Sequence, residues 1–186
     1  MEQTSLSGGF ADPSLDAADA FRAVMQAMAR PGRMYEIGGA VPPAPLSVAA
    51  GTVIMTLCDP DTGVHLAGAC DVPALRDWIT FHTGAPLVDA ARATFVVGAW
   101  GDVPLDALPI GTPDYPDRSA TVIVEMETLV SVGATLRGPG IRDSAQLNLP
   151  EIAAFQRNAA LFPLGLDFIF TSGAQIAALP RSTKVT

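Results

Sequence analysis

Apolar residues recur at helical spacing early in the chain: Leu15, Phe21, Val24, Met25 and Met28 predict a helix over 14–30. Asp12-Pro13-Ser14 supplies an N-cap, and Asp16 and Asp19 suit the positive end of the helix dipole. Arg30-Pro31-Gly32 ends the helix, because Pro31 cannot continue the hydrogen-bond ladder and Gly32 tolerates the turn. A short strand is expected at 34–37. Pro42-Pro43-Ala44-Pro45 then forms a stiff connector into 46–58, an almost wholly apolar run that reads as a buried helix. Val64 to Gly68 has strand character. A third helix is expected over 73–83, capped by Asp71 and stopped by Gly84, with Leu75, Trp78, Ile79 and His82 along one side. Residues 94–99 form an apolar run of strand length, whereas 100–118, with four prolines and two glycines, read as irregular.

Beyond this stretch the period shortens to two. Thr121, Ile123, Glu125 and Glu127 fall on one side, Val122, Val124 and Met126 on the other. The two glutamates are expected in solvent unless that face is packed. A second strand through Thr135 and Leu136 toward Gly138 makes 120–138 hairpin-like. Pro150 opens a helix with Ile152, Phe155, Ala159 and Leu161 on its apolar side, and apolar strands are expected at 167–171 and 175–179. Alternating helices and strands predict an α/β fold with a sheet covered on both faces, and the hairpin-like stretch makes that sheet mixed. Residues 1–13 read as a flexible lead and 14–186 as a single domain.

Composition narrows the function. The chain has 11 basic and 19 acidic residues among 186, a net charge of −8, which argues against nucleic acid and against an anionic membrane as partners. Hydrophobic residues make up 49% and charged residues 16%, below the usual ~25%. A chain so poor in charge is expected to hide surface against partners, and Trp100, Leu105, Leu108, Ile110 and Tyr115 in the Pro-rich stretch are candidates to line such a contact. Met1 to Asp12 has neither the basic nor the apolar part of a secretory leader, and two cysteines make no disulfide framework, so a cytoplasmic protein with free thiols is expected.

No catalytic machinery stands out. His65 and His82 lie on different elements with no second His or Cys at ligand spacing, and Cys-x-x-Cys is absent. Cys58 closes an apolar helix, a setting that makes a thiol inert. Asp59 and Asp61 flank Pro60 and read as turn formers. Arg137-Gly138-Pro139-Gly140-Ile141-Arg142 admits two readings: a tight turn leaving a strand, or an anion site made of glycine amides and Arg forks. Arg181 is a similar case, an anion clamp or an interface arginine. Arg137, Gly138, Gly140, Arg142 and Arg181 are thus the anion-binding candidates. No residue is assigned to catalysis, to a cofactor or to a metal.

Six segments, in order, carry a resemblance. They are Phe21-Arg22-Ala23-Val24-Met25-Gln26-Ala27-Met28-Ala29-Arg30-Pro31-Gly32, Thr56-Leu57-Cys58-Asp59-Pro60-Asp61-Thr62 and Phe81-His82-Thr83-Gly84-Ala85-Pro86-Leu87-Val88. The later three are Gly138-Pro139-Gly140-Ile141, Phe162-Pro163-Leu164-Gly165-Leu166-Asp167 and Leu179-Pro180-Arg181-Ser182-Thr183-Lys184-Val185. Together they resemble the PhnH family, subunits of the bacterial carbon–phosphorus lyase system. The resemblance implies an accessory subunit of phosphonate catabolism. Its partners couple an alkylphosphonate to the ribose C1 of ATP with release of adenine, and a separate radical subunit then cleaves the carbon–phosphorus bond. It also implies a three-layer α/β/α fold around a mixed sheet, similar to PLP-dependent transferases but without a PLP site. A homodimer that docks with the G, I and J subunits is implied as well. One lysine, Lys184, near the C-terminus, fits a PLP-like fold that holds no PLP. The competing reading is a free-standing nucleotide- or phosphonate-binding enzyme that uses Arg137, Arg142 or Arg181.

Overall fold

The computed structural model describes residues 6–186. Four helices, α1 (Pro13–Ala29), α2 (Val48–Leu57), α3 (Pro73–Thr83) and α4 (Ile152–Ala160), accompany nine strands. The strands are β1 (Tyr35–Glu36), β2 (Val64–Leu66), β3 (Phe95–Ala99), β4 (Thr121–Glu125), β5 (Ala134–Arg137), β6 (Ala145–Leu147), β7 (Asp167–Ser172), β8 (Gln175–Leu179) and β9 (Lys184–Val185). Six strands make the main sheet in the order β1-β8-β7-β4-β3-β2, and β6-β5-β9 make a small antiparallel one. The main sheet is mixed: β2, β3, β4 and β7 are parallel, whereas β8 is antiparallel to β7 and β1 to β8. The chain is therefore α/β, as its pattern predicts.

The period-two pattern decides what each face meets. Val97, Ile123, Ile169, Ile176 and Ala178 share a core with α1, α2 and α3. Val96, Val122, Val124, Phe168, Phe170, Ala177 and Leu179 pack with Phe155 of α4 and with Leu136, Leu147 and Val185 of the small sheet. Trp78, Leu75 and Ile79 of α3 and Phe155 of α4 are at most 1% exposed, whereas Ile152 and Leu161, expected on the same side of α4, stand 40% and 45% exposed.

Four features depart from expectation. First, 120–138 is not a hairpin. β4 has parallel neighbours on both edges, β3 and β7, so no edge remains for β5, which pairs in the other sheet. The antiparallel part of the main sheet comes from β8 and β1 instead. Second, Asp71 does not cap α3, whose N-cap is Val72; its carboxylate grips Arg76 through two hydrogen bonds. Third, the large apolar side chains of the 100–118 stretch mostly turn inward, although much of its backbone lies at the surface. Leu108 is 5% exposed, and Trp100, Leu105 and Ile110 pack against the core, which leaves Tyr115 as its exposed large apolar residue. Fourth, β6 and β9 are too short to show a pattern of their own.

Residues 1–5 of the expected lead lie outside the described residues. From Ser7 onward the lead is tied down: Trp78 Nε1 donates to the Ser7 carbonyl at 2.9 Å, and the Val41 amide to the Gly8 carbonyl at 2.8 Å. Phe10 packs on the core, and Asp12 caps α1 by accepting from the Leu15 amide at 3.2 Å.

Candidate functional site

In open α/β sheets ligands gather at the carboxyl ends of the parallel strands. Register places Ala99, Glu125 and Thr171 side by side at that edge. Glu125 is half-buried there. The Ser47 amide donates to its Oε1 at 2.7 Å, and the Thr171 hydroxyl lies 3.1 Å from its Oε2. Ser47 also caps α2, accepting from the Ala50 amide at 3.1 Å, so Glu125 ties the central strand to the start of α2. Burial pushes the Glu125 carboxyl above its ordinary range, and the bonds from Ser47 and Thr171 pull it part of the way back. Cys70 lies close by. Burial, then the charges of Glu125 and Asp102, push its thiol up to about 11. Cys58, at the end of α2, is pushed up to about 12 by burial, against a lowering bond from Thr62. Both thiols stay protonated near neutrality and serve as small buried side chains.

Among the described residues, two surface clefts stand out. One, of about 380 Å³, lies between the turns after β3 and helix α4. Trp100, Leu108 and Phe168 form its apolar part, with Asp106 and Arg157 among its lining residues. Trp100 packs on Phe155 with ring centroids 4.8 Å apart, and its Nε1 donates to Glu151 at 3.3 Å. The other, of about 240 Å³ and polar, runs along β2. Its arginines are partnered: Arg76 with Asp71, and Arg92 with Asp89 at 3.7 Å. His65 Nδ1 donates to the Val88 carbonyl at 3.0 Å. His82 is elsewhere, packed between Trp78 and Phe81. Among the described residues no group of three His, Cys, Asp or Glu side chains could hold a metal ion.

The anion-binding candidates divide. Arg137, Gly138, Gly140 and Arg142 gather at the turn that leaves β5, closed by the Ile141 amide on the Gly138 carbonyl at 3.1 Å. Gly138 and Gly140 have φ of +140° and +80°. A Cβ on Gly140 would overlap the Ala29 carbonyl oxygen, so this glycine lets the turn sit against the end of α1. Arg181 does not join them. Its guanidinium bonds both oxygens of Asp167, the Ser119 hydroxyl and the Pro116 carbonyl, the last at 2.8 Å. With side chains 14% and 18% exposed, Arg181 and Asp167 form an enclosed, matched pair, and the guanidinium is engaged inside the protein.

Sequence reasoning missed Glu125 as a buried group and missed both clefts. A glutamate ending an otherwise apolar central strand is a usable signal for the first. The first cleft joins 100–110 to 154–168, and the second joins residues scattered over 64–92, so neither leaves a local trace.

The family model for "Bacterial phosphonate metabolism protein (PhnH)" matches residues 8–186. The chain is 41% identical over 191 residues to the alpha-D-ribose 1-methylphosphonate 5-triphosphate synthase subunit PhnH of Rhizobium meliloti (strain 1021), covering 96% of this chain and 94% of the relative. It is 32% identical over 174 residues to the putative C-P lyase subunit protein HtxG of Stutzerimonas stutzeri, covering 89% and 84%. With nearly the whole fold inside these matches, the chain belongs to the PhnH family of bacterial phosphonate metabolism proteins.

Proposed function

We propose that this protein is an accessory, non-catalytic subunit of the carbon–phosphorus lyase machinery. In this reading it acts in the cytoplasm as part of ribose 1-methylphosphonate 5-triphosphate synthase, whose other subunits couple alkylphosphonate to the ribose C1 of ATP with release of adenine. The observation that carries the reading is the 41% identity, over 96% of the chain, to a subunit of that synthase. The interior supports it: Glu125 is tied to Ser47 and Thr171, Arg181 to Asp167, and both thiols are held protonated. We further read the two packed faces of the main sheet as a three-layer arrangement resembling PLP-dependent transferases without their cofactor, because Lys184 stands exposed on an outer strand. The chain is expected to form a homodimer and to dock with the G, I and J subunits.

The test is genetic and then biochemical. Deleting the gene should abolish growth on methylphosphonate as sole phosphorus source while sparing growth on phosphate, and the tagged protein should co-purify with the other synthase subunits. Normal growth of the deletion strain on methylphosphonate would overturn the assignment. The second reading, a free-standing ligand-binding enzyme, draws on the 380 Å³ cleft, which is within the usual size range for small-molecule sites. Turnover by the lone chain in titrations with ATP and methylphosphonate would favour it.

A further inference from the structure

The cations of this acidic protein are unevenly placed. The turn Arg30-Pro31-Gly32-Arg33 leaves α1 and packs against the small sheet: a Cβ on Gly32 would meet Ala145 Cβ at 2.9 Å and Leu136 Cδ1 at 3.0 Å. The turn after β5 packs back against the same end of α1 through Gly140. β9 pairs with β5 in a register that sets Arg137 directly opposite Lys184. Folding therefore collects Arg30, Arg33, Arg137, Arg142 and Lys184 at one corner, five of 11 basic residues in a chain of net charge −8. All five are exposed. Arg30 bonds Gln26 at 2.6 Å, and Arg142 lies 4.0 Å from Asp143, both side chains at least 90% exposed. Among the described residues, Arg30, Arg33, Arg137 and Lys184 have no carboxylate in ion-pair reach. Like charges set opposite each other weaken a sheet, so the Arg137–Lys184 pair contributes nothing to the isolated fold.

We infer that this corner is a docking surface for an acidic polypeptide segment of a partner protein. Arg forks match carboxylates two at a time, and cations left unpaired on a negatively charged molecule give an oriented, complementary encounter. A small phosphate-rich anion fits less well. Such ligands sit in concave sites that bury most of their surface, and the two clefts described above lie elsewhere, lined by none of these five residues. The surface goes beyond the subunit role proposed above, and its test does not need that role to hold.

The test uses the full chain and labelled poly-L-glutamate, followed by fluorescence anisotropy at low and high salt. Binding is expected at low salt and lost at 0.5 M, the concentration chosen to screen exposed charges to within about 4 Å. R137E/K184E should weaken it roughly tenfold or more. R22E/R92E changes net charge equally but removes arginines paired to Asp19 and Asp89 elsewhere, and should change it less than about twofold. Carbodiimide coupling of wild-type protein to the polymer gives a readout that needs no variant, because the amide should form at Lys184, the chain's one lysine. No binding at low salt, equal weakening by both double variants, or coupling confined to the N-terminal amine overturns the inference. So does saturable capture of tripolyphosphate by this corner without poly-L-glutamate binding, which would mark a small-anion site. So does self-association abolished by R137E/K184E, which would make the occupant a second copy.

Discussion

Arg181 and Lys184 are three residues apart, yet they end in opposite electrostatic settings. Arg181 folds into a socket where Asp167, Ser119 and the Pro116 carbonyl take up its donors. Lys184 faces Arg137 across two short strands, with no carboxylate in reach among the described residues. The first is a charge the fold has neutralised, so its worth is internal and removing either partner harms stability. The second is a charge the fold has left in water, so its worth is external. Residue type does not distinguish them. Whether a carboxylate arrives from a distant segment does, and Asp167 arrives because β7 lies beside β8 and brings its first residue under the chain that follows Leu179.

The largest effect should come from breaking the enclosed pair. Asp167→Ala leaves the Arg181 guanidinium buried without its counter-charge and should cost about 3–5 kcal/mol in denaturant unfolding. Adding Arg181→Met should recover part of that loss; a single variant that unfolds like wild type would erase the distinction between the two corners. Next is the turn that supports the exposed corner. Gly140→Ala combines positive φ with overlap on the Ala29 carbonyl and should cost about 2–3 kcal/mol. Gly101→Ala, at a position with nothing within 4 Å, should stay within about 0.5 kcal/mol.

A smaller effect, readable as a pH profile, should come from Glu125. Its folded pKa lies above the ordinary carboxylate value of 4.5 because of burial. The unfolded chain therefore loses this proton first as pH rises. Stability contributed by the protonated form is full below about 4.5 and is lost as pH climbs through the folded value. Glu125→Gln keeps an acceptor for the Ser47 amide and should flatten that decline, measured as melting temperature from pH 4 to pH 8. A steeper decline in the variant would assign the pH dependence to other groups. The smallest effect should be Arg137→Glu, which turns a like-charge cross-strand pair into an opposite one. It should raise stability by about 0.2–1 kcal/mol, while removing one cation from the proposed docking surface. A loss of stability on thermal unfolding would show that Arg137 has an internal role.

The exposed apolar residues sharpen the same lesson. The Pro-rich stretch reads as irregular in the sequence because prolines and glycines interrupt it, yet Leu108 is buried and Trp100 packs over Phe155 and Phe168. Phe21 and Met25, which continue the helical spacing of α1, stand 47% and 50% exposed beside its buried line of Ala20, Val24 and Ala27. Periodicity reports that a helix is apolar over a wide arc. It does not report how much of the arc the rest of the domain covers.

Taken alone, the sequence determined the local elements: α1 from its Asp12 cap and Pro31 stop, α3 from its apolar stripe and Gly84, and the central strands from their apolar runs. It also determined the family, because six ordered motifs are properties of the chain itself. Only the tertiary structure decided the rest. Pairing of β4 with β3 and β7 rather than β5, burial of Glu125 against Ser47, closure of Arg181 on Asp167, and the gathering of Arg30 and Arg33 with Arg137 and Lys184 all join segments far apart in sequence. Spacing along a chain sets backbone conformation through nearest-neighbour sterics and caps. A charge's neighbours, and therefore its energy and use, are set by which distant surfaces the packed core brings together.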